Sequence, residues 1–329
     1  MKQVLVTGAT GFLGKRLSLT LKDKGYMVYG LGRNEQIGQQ LRENGVKFIP
    51  CDLANGKKVI QACKEMDYVF HCGALASTWG PYDLFYKANV LGTQHIIQGC
   101  QQHEVKRLIY VSSPSIYAEN KDRFAVKETD YLPEKKVNHY ATTKYLAETY
   151  VQEAANKGLP VISIRPRAIF GPGDPNILPR LLELNDQKRL PFIRNGNALM
   201  DVTYVDNVVH ALLLCMTSSD DTLGEEYNIT NGEPMAFKEL VDQLFNRLGE
   251  EMHPKKIPFS LAYSLATLLE LGGKFTKRKK EPILTRATAL MLGRSVTLDI
   301  TKAKKELSYE PIYTVADGID AYVRSIRNK

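Results

Sequence analysis

Tyr140 and Lys144 form the pair of side chains whose types and spacing are best suited to proton transfer. In the string HYATTK, residues 139–144, a phenol precedes an amine by four positions. On a helix this spacing puts both side chains on one face. A phenol with a pKa of about 10 is a poor base near neutrality, but a neighbouring ammonium favours the phenolate. Such a pair can pass a proton to or from a substrate oxygen.

The same spacing occurs twice more in a chain with 17 tyrosines, so the surrounding sequence has to select one pair. The turn-prone string AEN precedes Lys121 in one of the other pairs, and Pro133 interrupts the second. Neither interval is therefore predicted to form a continuous helix. Only Tyr140 and Lys144 lie in a long helical pattern, with Asn138 as its predicted N-cap.

Three glycines between the first predicted strand and the first predicted helix form a G-x-x-G-x-x-G string. Glycines allow a tight turn and bring backbone N–H groups close to a pyrophosphate, while the N-terminus of the helix supplies positive potential. The strand–turn–helix context predicts a dinucleotide-binding loop; the alternative is a tight packing turn without a ligand. The predicted cofactor-binding residues of this loop are Gly8, Thr10, Gly11, Phe12, Leu13 and Gly14.

The residues after the second predicted strand indicate which nicotinamide cofactor the site prefers. An NAD site usually has an acidic residue there, which binds the 2′-hydroxyl of the adenosine ribose. This chain instead has Gly32, Arg33 and Asn34, and the first carboxylate is Glu35. A glycine leaves room for a 2′-phosphate and a guanidinium can pair with it, so we predict NADP(H), with NAD(H) as the alternative. The competing interpretation is that Arg33 is a solvated loop charge.

Six strand-like runs alternate with helical patterns in the first half of the chain. Such alternation predicts an α/β fold of Rossmann type, which is a doubly wound parallel sheet with helices on both faces. From residue 171 the pattern is looser and mostly helical, which predicts a smaller C-terminal substrate domain. We assign residues 1–170 and 201–230 to the dinucleotide-binding domain, and residues 171–200 and 231–329 to the substrate-binding domain.

Composition and charge argue against several other classes of protein. The 329-residue chain has a net charge of +8 but no zinc-finger spacing and no basic helix with base-reading residues, so no nucleic-acid partner is predicted. Five cysteines without a C-x-x-C pair argue against a disulfide framework or a metal site and fit a cytoplasmic location. The apolar run at 257–271 is too short to span a bilayer. Because the basic cluster 274–280 follows it, weak peripheral membrane contact through 257–280 is the minority interpretation.

The glycine triplet, the string YVSS, the Tyr140–Lys144 pair and the string RPRAIFGPGD follow one another in an order typical of one family. Together they resemble the extended short-chain dehydrogenase/reductases of the NAD-dependent epimerase/dehydratase superfamily. The resemblance implies that Tyr140 is the acid/base and that Lys144 assists it and bonds the nicotinamide ribose. It also implies that Ser113 is the catalytic serine, with Ser112 as the second choice. Many members of the family dimerise through two helices, so a homodimer is expected.

The same resemblance implies further contacts to the cofactor at the ends of other strands. Asn89 resembles a helix asparagine of the family that is more structural than chemical. Simpler interpretations exist for two of the implied contacts, since Asp52 could cap a helix and Pro166 could end a strand. The implied cofactor contacts outside the glycine loop are Asp52, Leu53, Gly73, Ala74, Tyr140, Lys144 and Pro166.

Two departures from the motifs of the family narrow the reaction. Sugar dehydratases carry an Asp-Glu pair after the catalytic hydroxyl, where this chain has Pro114 and Ser115, so dehydration is not expected. Nucleotide-sugar epimerases usually have a diphosphate-binding arginine where this chain has Met200, an adaptable apolar side chain. Arg180 or Arg194 could replace that arginine, so a nucleotide-sugar epimerase or reductase is the alternative function.

The strings DVTYVDNVVHA and YNITNGEP resemble the 3β-hydroxysteroid dehydrogenase group, which includes 2-alkyl-3-oxoalkanoate reductases. We therefore predict an NAD(P)-dependent oxidoreductase that interconverts a ketone and a secondary alcohol on a hydrophobic small molecule, either 3-oxo/3-hydroxy acyl or steroid-like. A cofactor-sensing protein without catalysis is a third hypothesis, but such a protein is expected to lose the tyrosine or the lysine. The predicted substrate-lining residues are Ser113, Met200 and Tyr204.

Overall fold

A seven-stranded parallel sheet forms the centre of the computed structural model, which describes residues 1–275 and 281–327. The strands are β1 (Gln3–Thr7), β2 (Met27–Gly32), β3 (Lys47–Pro50), β4 (Tyr68–His71), β5 (Arg107–Val111), β6 (Arg123–Val126), β7 (Val161–Pro166), β8 (Ile169–Phe170), β9 (Leu190–Ile193), β10 (Leu199–Met200), β11 (Thr203–Tyr204), β12 (Glu226–Ile229), β13 (Met235–Ala236), β14 (Pro254–Ile257) and β15 (Val296–Leu298).

Helices surround this sheet and form most of the second half of the chain. They are α1 (Phe12–Asp23), α2 (Glu35–Glu43), α3 (Gly56–Ala62), α4 (Tyr82–Phe85), α5 (Gly92–Gln102), α6 (His139–Asn156), α7 (Ile177–Asp186), α8 (Val205–Thr217), α9 (Phe237–Leu248), α10 (Phe259–Phe275), α11 (Arg286–Gly293), α12 (Thr301–Leu307) and α13 (Val315–Arg327). A π-helical turn at Tyr86–Leu91 joins α4 to α5, and 3₁₀ turns occur at Pro114–Tyr117, Arg194–Gly196 and Asp220–Thr222.

The large sheet has the strand order β12-β7-β5-β4-β1-β2-β3, so the direction of winding reverses between β1 and β4. This is the doubly wound, Rossmann-type sheet that the sequence predicts. The six predicted strand runs are confirmed, and the string EYNITNG supplies β12 as a seventh strand. In such a sheet ligands bind beyond the carboxyl ends of the strands, next to the reversal.

Alternate side chains of β1 enter two apolar clusters, one on each face of the sheet. Val4 and Val6 belong to the cluster that contains Leu17 of α1 and Val208 of α8. Leu5 belongs to the other cluster, which contains buried residues of α3, α5 and α6. Successive strand residues point to opposite faces. Both faces are therefore covered, which explains why apolar residues predominate in the predicted strand runs.

A second sheet, with the strand order β13-β10-β15-β6, joins segments that are distant in the chain. Met200 of β10 pairs with Met235 and with Val296. Strand β15 also pairs with β6, which belongs to the segment assigned to the dinucleotide-binding domain. The division into two domains stays a prediction, and this pairing crosses its boundary.

Helix α6 contains the selected tyrosine and lysine, as the sequence predicts. The side-chain oxygen of Asn138 accepts a hydrogen bond from Ala141 N at 2.9 Å and caps the helix. Three turns further on, Glu148 accepts hydrogen bonds from Nε and Nη2 of Arg165 in β7, at 3.0 and 2.5 Å. This buried bidentate pair fixes the helix against the sheet.

The apolar run at 257–271 forms most of α10. Ala262 and Ala266 are buried on one side of this helix. Its opposite side bears four leucines that are between 47% and 66% exposed, namely Leu261, Leu265, Leu268 and Leu271. Among the helices of the described residues, none is long and apolar enough to cross a membrane. Most of the predicted basic cluster, 276–280, lies outside the described residues.

Candidate active site

Residues predicted to bind the cofactor, together with the predicted catalytic serine, lie in one row along the carboxyl edge of the large sheet. Each follows or ends a different strand, and those strands are neighbours in the order β3, β2, β1, β4, β5 and β7. Neighbouring strands are about 4.8 Å apart, so five spacings make a row roughly 24 Å long. From one end to the other, the row contains Asp52, Arg33, Gly8, Gly73, Ser113 and Pro166.

The glycines of the loop allow main-chain atoms to approach so closely that a side chain at these positions would clash with them. Gly8 has a φ of +67°, and a Cβ at this position would lie 2.7 Å from Cα of Gly73. A Cβ on Gly14 would lie 2.2 Å from Gly8 O, so α1 begins directly against the turn. The loop and the first turn of α1 also contain Thr10, Gly11, Phe12 and Leu13. This cradle at a helix N-terminus fits the pyrophosphate of a dinucleotide.

A chain of buried hydrogen bonds starts at the glycine loop. Gly73 N donates to Thr7 Oγ1 at 3.1 Å, and Thr7 Oγ1 lies 2.7 Å from His71 Nδ1. His71 Nε2 lies 3.0 Å from Thr93 Oγ1, which in turn donates to Asn89 O at 2.6 Å. The chain therefore links the ends of β1 and β4 to helix α5 and to the π-helical turn.

The proton of the Thr93 hydroxyl fixes the tautomer of His71. The Thr93 hydroxyl donates its proton to Asn89 O, so its oxygen accepts a hydrogen bond from Nε2–H of His71. Nδ1 of His71 therefore carries no proton and accepts a hydrogen bond from the hydroxyl of Thr7. Burial lowers the pKa of His71 to about 3, so the ring is neutral near pH 7. Asn89 extends the chain to α6, because its Nδ2 donates to Thr143 Oγ1 at 3.0 Å and its Oδ1 accepts from Leu75 N at 2.7 Å. Asn89 thus has a structural role.

Lys144 is buried, and its amine faces the end of β5. Nζ donates to Tyr110 OH at 2.8 Å and to Val111 O at 2.7 Å. Burial lowers the pKa of Lys144 to about 7, and the charge of Glu148 offsets part of this effect. Tyr140 lies one turn earlier and is half-buried, and burial raises the pKa of its phenol. The phenol is therefore protonated near neutrality, as a proton donor to a substrate carbonyl has to be.

The structure brings Ser113, rather than Ser112, together with Tyr140. Burial raises the pKa of the phenol, and a hydrogen bond with Ser113 acts in the opposite direction. Ser113 Oγ also accepts from Ser115 N at 3.2 Å and donates to Ser115 Oγ at 3.0 Å. Ser112 Oγ is buried and has no hydrogen-bond partner of ordinary geometry within 1–275 and 281–327.

At the adenosine end of the row, Arg33 Nη1 lies 3.3 Å from Oδ2 of Asp52. Both side chains are largely exposed, so this ion pair is weak. Asn34 caps α2, because its Oδ1 accepts a main-chain N–H of the first turn at 3.0 Å. A Cβ on Gly32 would lie 2.6 Å from Thr10 Oγ1. Thr10 therefore occupies the position of a side chain at Gly32, so the glycine gives no support for room for a 2′-phosphate, and this expectation stays a prediction.

The remaining predicted contacts lie at strand ends, where they also have simpler roles. Asp52 Oδ1 accepts the main-chain N–H two residues further on at 2.9 Å and so closes a turn. Leu53 packs against the loop after β4, since a Cβ on Gly73 would lie 2.8 Å from Leu53 Cδ1. Ala74 follows that glycine, and Pro166 is buried at the end of β7. As contacts to the cofactor, these residues stay predictions.

Met200 and Tyr204, which are predicted to line the substrate, are both core residues. Met200 is buried in the small sheet. The ring of Tyr204 packs against Phe170 and Tyr313, with centroid distances of 5.9 and 5.4 Å. Tyr204 is 4% exposed and Met200 is 6% exposed. As substrate-lining residues, both stay predictions.

His71 and Tyr110 are two residues of the site that the sequence analysis missed. His71 connects the ends of β1 and β4, and Tyr110 accepts a hydrogen bond from the amine of Lys144. Each is a polar side chain near the carboxyl end of an otherwise apolar strand. Burying a polar group costs free energy unless it is hydrogen-bonded. A polar residue near the end of a buried strand is therefore the sequence signal that could have identified His71 and Tyr110.

Comparisons with known proteins agree with this geometry. The model of the NAD dependent epimerase/dehydratase family matches residues 4–230. The chain is 35% identical over 322 residues to the 2-alkyl-3-oxoalkanoate reductase of Stenotrophomonas maltophilia, covering 96% of this chain and 97% of that protein. It is 33% identical over 338 residues to the sterol-4-alpha-carboxylate 3-dehydrogenase, decarboxylating, of Homo sapiens, covering 99% of this chain and 89% of that protein.

A solved structure shows the same fold. The UDP-glucuronic acid 4-epimerase of Bacillus cereus in complex with NAD has a TM-score of 0.77 at 22% identity, with 99% of this chain and 96% of that chain covered. At this identity the likeness concerns the fold alone. The family match and the two relatives show that the chain belongs to the NAD dependent epimerase/dehydratase family of extended short-chain dehydrogenase/reductases.

Proposed function

We propose that the protein interconverts a ketone and a secondary alcohol on a hydrophobic substrate of the 3-oxo/3-hydroxy acyl or steroid-like kind. The observation that carries this proposal is the hydrogen bond between Tyr140 and Ser113 just beyond β5, with Lys144, one helical turn after Tyr140, bonded to Val111 O at the end of that strand. The names of both relatives describe oxidation or reduction at the carbon that neighbours a carboxylate-bearing carbon. The proposed substrate therefore carries an acyl or carboxylate group at this position.

The three side chains have distinct roles in the proposed reaction. A nicotinamide cofactor, when bound, supplies or accepts the hydride. Tyr140 donates a proton to the substrate carbonyl oxygen during reduction and removes it during oxidation. Ser113 holds that oxygen by a hydrogen bond, and the amine of Lys144 stabilises the phenolate that forms after proton donation.

A nucleotide-sugar epimerase is the second candidate, and the fold of its solved relatives favours it. Two observations on the side chains oppose it. Met200 stands where epimerases have a diphosphate-binding arginine, and the two arginines that could replace it are already paired. Arg180 Nη1 lies 2.7 Å from Glu183, and Arg194 Nη1 lies 2.9 Å from Asp122.

A substrate panel distinguishes the two functions. The protein is incubated with 3-oxo acids, sterols, UDP-sugars and dTDP-sugars, while the absorbance of NADPH and NADH is followed and sugar products are separated by chromatography. We expect cofactor oxidation with 3-oxo acids or keto-sterols and no conversion of the sugars. Epimerised sugar without net consumption of cofactor would replace the proposed function by the alternative.

We also propose that NADP(H) is preferred, with support now limited to Arg33. We expect Arg33→Met to lower kcat/KM for NADPH about 10- to 100-fold, because a charge-assisted hydrogen bond to the 2′-phosphate is lost, and to leave the value for NADH nearly unchanged. Arg42→Met, which removes an exposed arginine of α2, serves as the matched control. Equal effects of Arg33→Met on both cofactors would contradict the preference.

The exposed leucines of α10 support the proposal of weak contact with an anionic membrane. The sequence 274–280, which follows them, contains five lysines and arginines, so the region combines apolar and basic groups as interfacial helices do. We expect the protein to sediment with phosphatidylglycerol vesicles, less with phosphatidylcholine vesicles, and less at high salt. Leu261→Asp with Leu268→Asp should reduce sedimentation, whereas Ile312→Asp, an exposed side chain elsewhere, should not. Equal binding by all three proteins would exclude α10 as the contact.

A cytoplasmic location and a homodimer complete the proposal. The five cysteines are free, which suits a reducing compartment. The homodimer rests on the family resemblance, and its mass in solution can be measured by light scattering.

A further inference from the structure

Arg167 lies directly after β7, and hydrogen bonds hold its main chain in place. Its N–H donates to Ile229 O at 3.1 Å, and its carbonyl oxygen accepts from Thr203 Oγ1 at 2.5 Å. The next residue is held as well, because Ala168 O accepts from Thr203 N at 3.2 Å. The guanidinium of Arg167 therefore projects from a fixed point at the carboxyl edge of the sheet.

The strand register places this point beside the catalytic serine. Val111 is level with Ile164, and Ser112 N continues the pairing by donating to Ile164 O at 2.7 Å. Continuing this register pairs Ser113 with Pro166. Arg167 is the next residue after Pro166, and neighbouring strands are about 4.8 Å apart. The arginine is thus a neighbour of the serine that contacts the catalytic phenol.

The guanidinium of Arg167 is half-buried, and its Nε lacks a hydrogen-bond partner in the described part of the chain. This Nε is also inaccessible to solvent. The negative charge that acts on the Arg167 guanidinium is that of Asp201, but the two side chains form no ion pair within 4.0 Å. Oδ2 of Asp201 instead accepts a hydrogen bond from Leu298 N at 2.7 Å. Burial lowers the pKa of Arg167 and raises that of Asp201, so each charge is poorly compensated.

Arg165, two residues earlier on the same strand, shows how a structural arginine is satisfied in this protein. Its Nε and Nη2 form a bidentate pair with Glu148, and its Nη1 donates to the hydroxyl of Tyr117. A buried N–H without an acceptor costs free energy, and Nε of Arg167 bears that cost close to the reacting centre. The guanidinium of Arg167 is a planar donor that can form two parallel hydrogen bonds and has an unused N–H. It is therefore suited to bind a carboxylate of the substrate.

We propose that Arg167 binds the substrate carboxylate and makes the enzyme selective for 3-oxo and 3-hydroxy acids over the corresponding neutral ketones, alcohols and esters. In such acids one carbon separates the reacting carbon from the carboxylate carbon, so both groups can be held at neighbouring strand ends. This inference rests on the proposed ketone–alcohol function and adds to it the chemical class of the recognised group.

The test compares 3-hydroxydecanoic acid with its methyl ester, using the formation of reduced nicotinamide as the readout. We expect the wild-type protein to prefer the acid. Arg167→Met should lower kcat/KM for the acid about 10- to 100-fold, mainly through KM, because a hydrogen-bonded charge pair is lost, and should change the value for the ester less than about 3-fold. Arg167→Lys should recover part of the preference. Arg324→Met, an exposed arginine of α13, should match the wild type with both substrates.

A binding measurement separates this inference from the proposed function. Decanoate should raise the Tm of the wild-type protein in the presence of cofactor, decanol should not, and Arg167→Met should abolish the decanoate shift. If no alcohol is oxidised but the shift persists and depends on Arg167, the carboxylate site stands without the proposed reaction. If Arg167→Met reduces acid and ester oxidation equally, or if decanoate shifts both proteins alike, the residue is structural and the inference is overturned.

Discussion

Replacing Tyr140 with phenylalanine is expected to lower kcat about 10²- to 10⁴-fold. The phenol is the group that hydrogen-bonds with Ser113 and lies one helical turn before Lys144. Removing its hydroxyl leaves the substrate oxygen without a proton donor, while the ring continues to fill its place beside the sheet. The affinity for NADPH, measured by fluorescence titration, should be nearly unchanged, because the glycine loop is not altered.

Tyr145→Phe is the matched control for this variant. Tyr145 lies on the same helix but is exposed, with Lys136 Nζ 4.1 Å from the centre of its ring. We expect wild-type kcat for the control. Wild-type turnover in Tyr140→Phe, measured with the best substrate of the panel, would remove this residue as the acid/base and with it the proposed mechanism.

Replacing Lys144 with methionine is expected to lower kcat at least about 10²-fold, because the phenolate of Tyr140 loses its neighbouring amine. The same change should affect stability in a way that depends on pH. Methionine fills a similar volume without a charge, although it loses the hydrogen bonds to Tyr110 and Val111. The loss of these bonds shifts Tm by an amount that is nearly independent of pH.

The pH-dependent part follows from the lowered pKa of Lys144, which is about 7 in the folded protein against an ordinary value of 10.5. Between these values the unfolded chain holds a proton that the folded chain lacks, so the stability of the wild type rises with pH. Below pH 7 both states hold the proton, and the full cost of burying the charge is present. The Tm of Lys144→Met relative to wild type should therefore be highest at pH 6 and fall as the pH approaches 10.

Calorimetry or thermal fluorescence at pH 6, 7.5 and 9.5 checks this trend. Lys135→Met provides a control, since Lys135 is an exposed lysine from one of the two rejected Tyr-x-x-x-Lys pairs. Its Tm difference from wild type should vary little with pH. A constant Tm difference for Lys144→Met across the three pH values would show that the amine is not held in a desolvated environment.

The large sheet could be predicted because each of its strands carries a local signal. Strands such as β1, β5 and β7 are buried on both faces, so their sequences are mostly apolar runs bounded by turns. The strands β8, β10, β11 and β13 contain two residues each, which is too short for any periodicity. They exist because distant segments pair, as Met200 does with Val296. Such pairing leaves no local signal.

The candidate site was predictable where one helix or one loop determines it. Tyr140 and Lys144 could be selected because continuous helix and an N-cap are readable from neighbouring residues. The environments of Gly32 and Tyr204 depend on contacts with segments elsewhere in the chain, namely the glycine loop and an aromatic cluster. The alternating string around Tyr204 indicates a strand but not the face that is enclosed, and this explains why the aromatic cluster around Tyr204 was not predicted.

The hydrogen-bond chain from Thr7 through His71 to Thr143 has a consequence for engineering. Every group in it lies between positions 7 and 143, so this connection between the dinucleotide cradle and the catalytic helix needs no group from the segments after position 166. Residues such as Arg167 and Met200 lie outside this framework. Grafting the segments after position 166 from another member of the family should therefore exchange the preferred substrate while the hydride-transfer apparatus keeps its alignment.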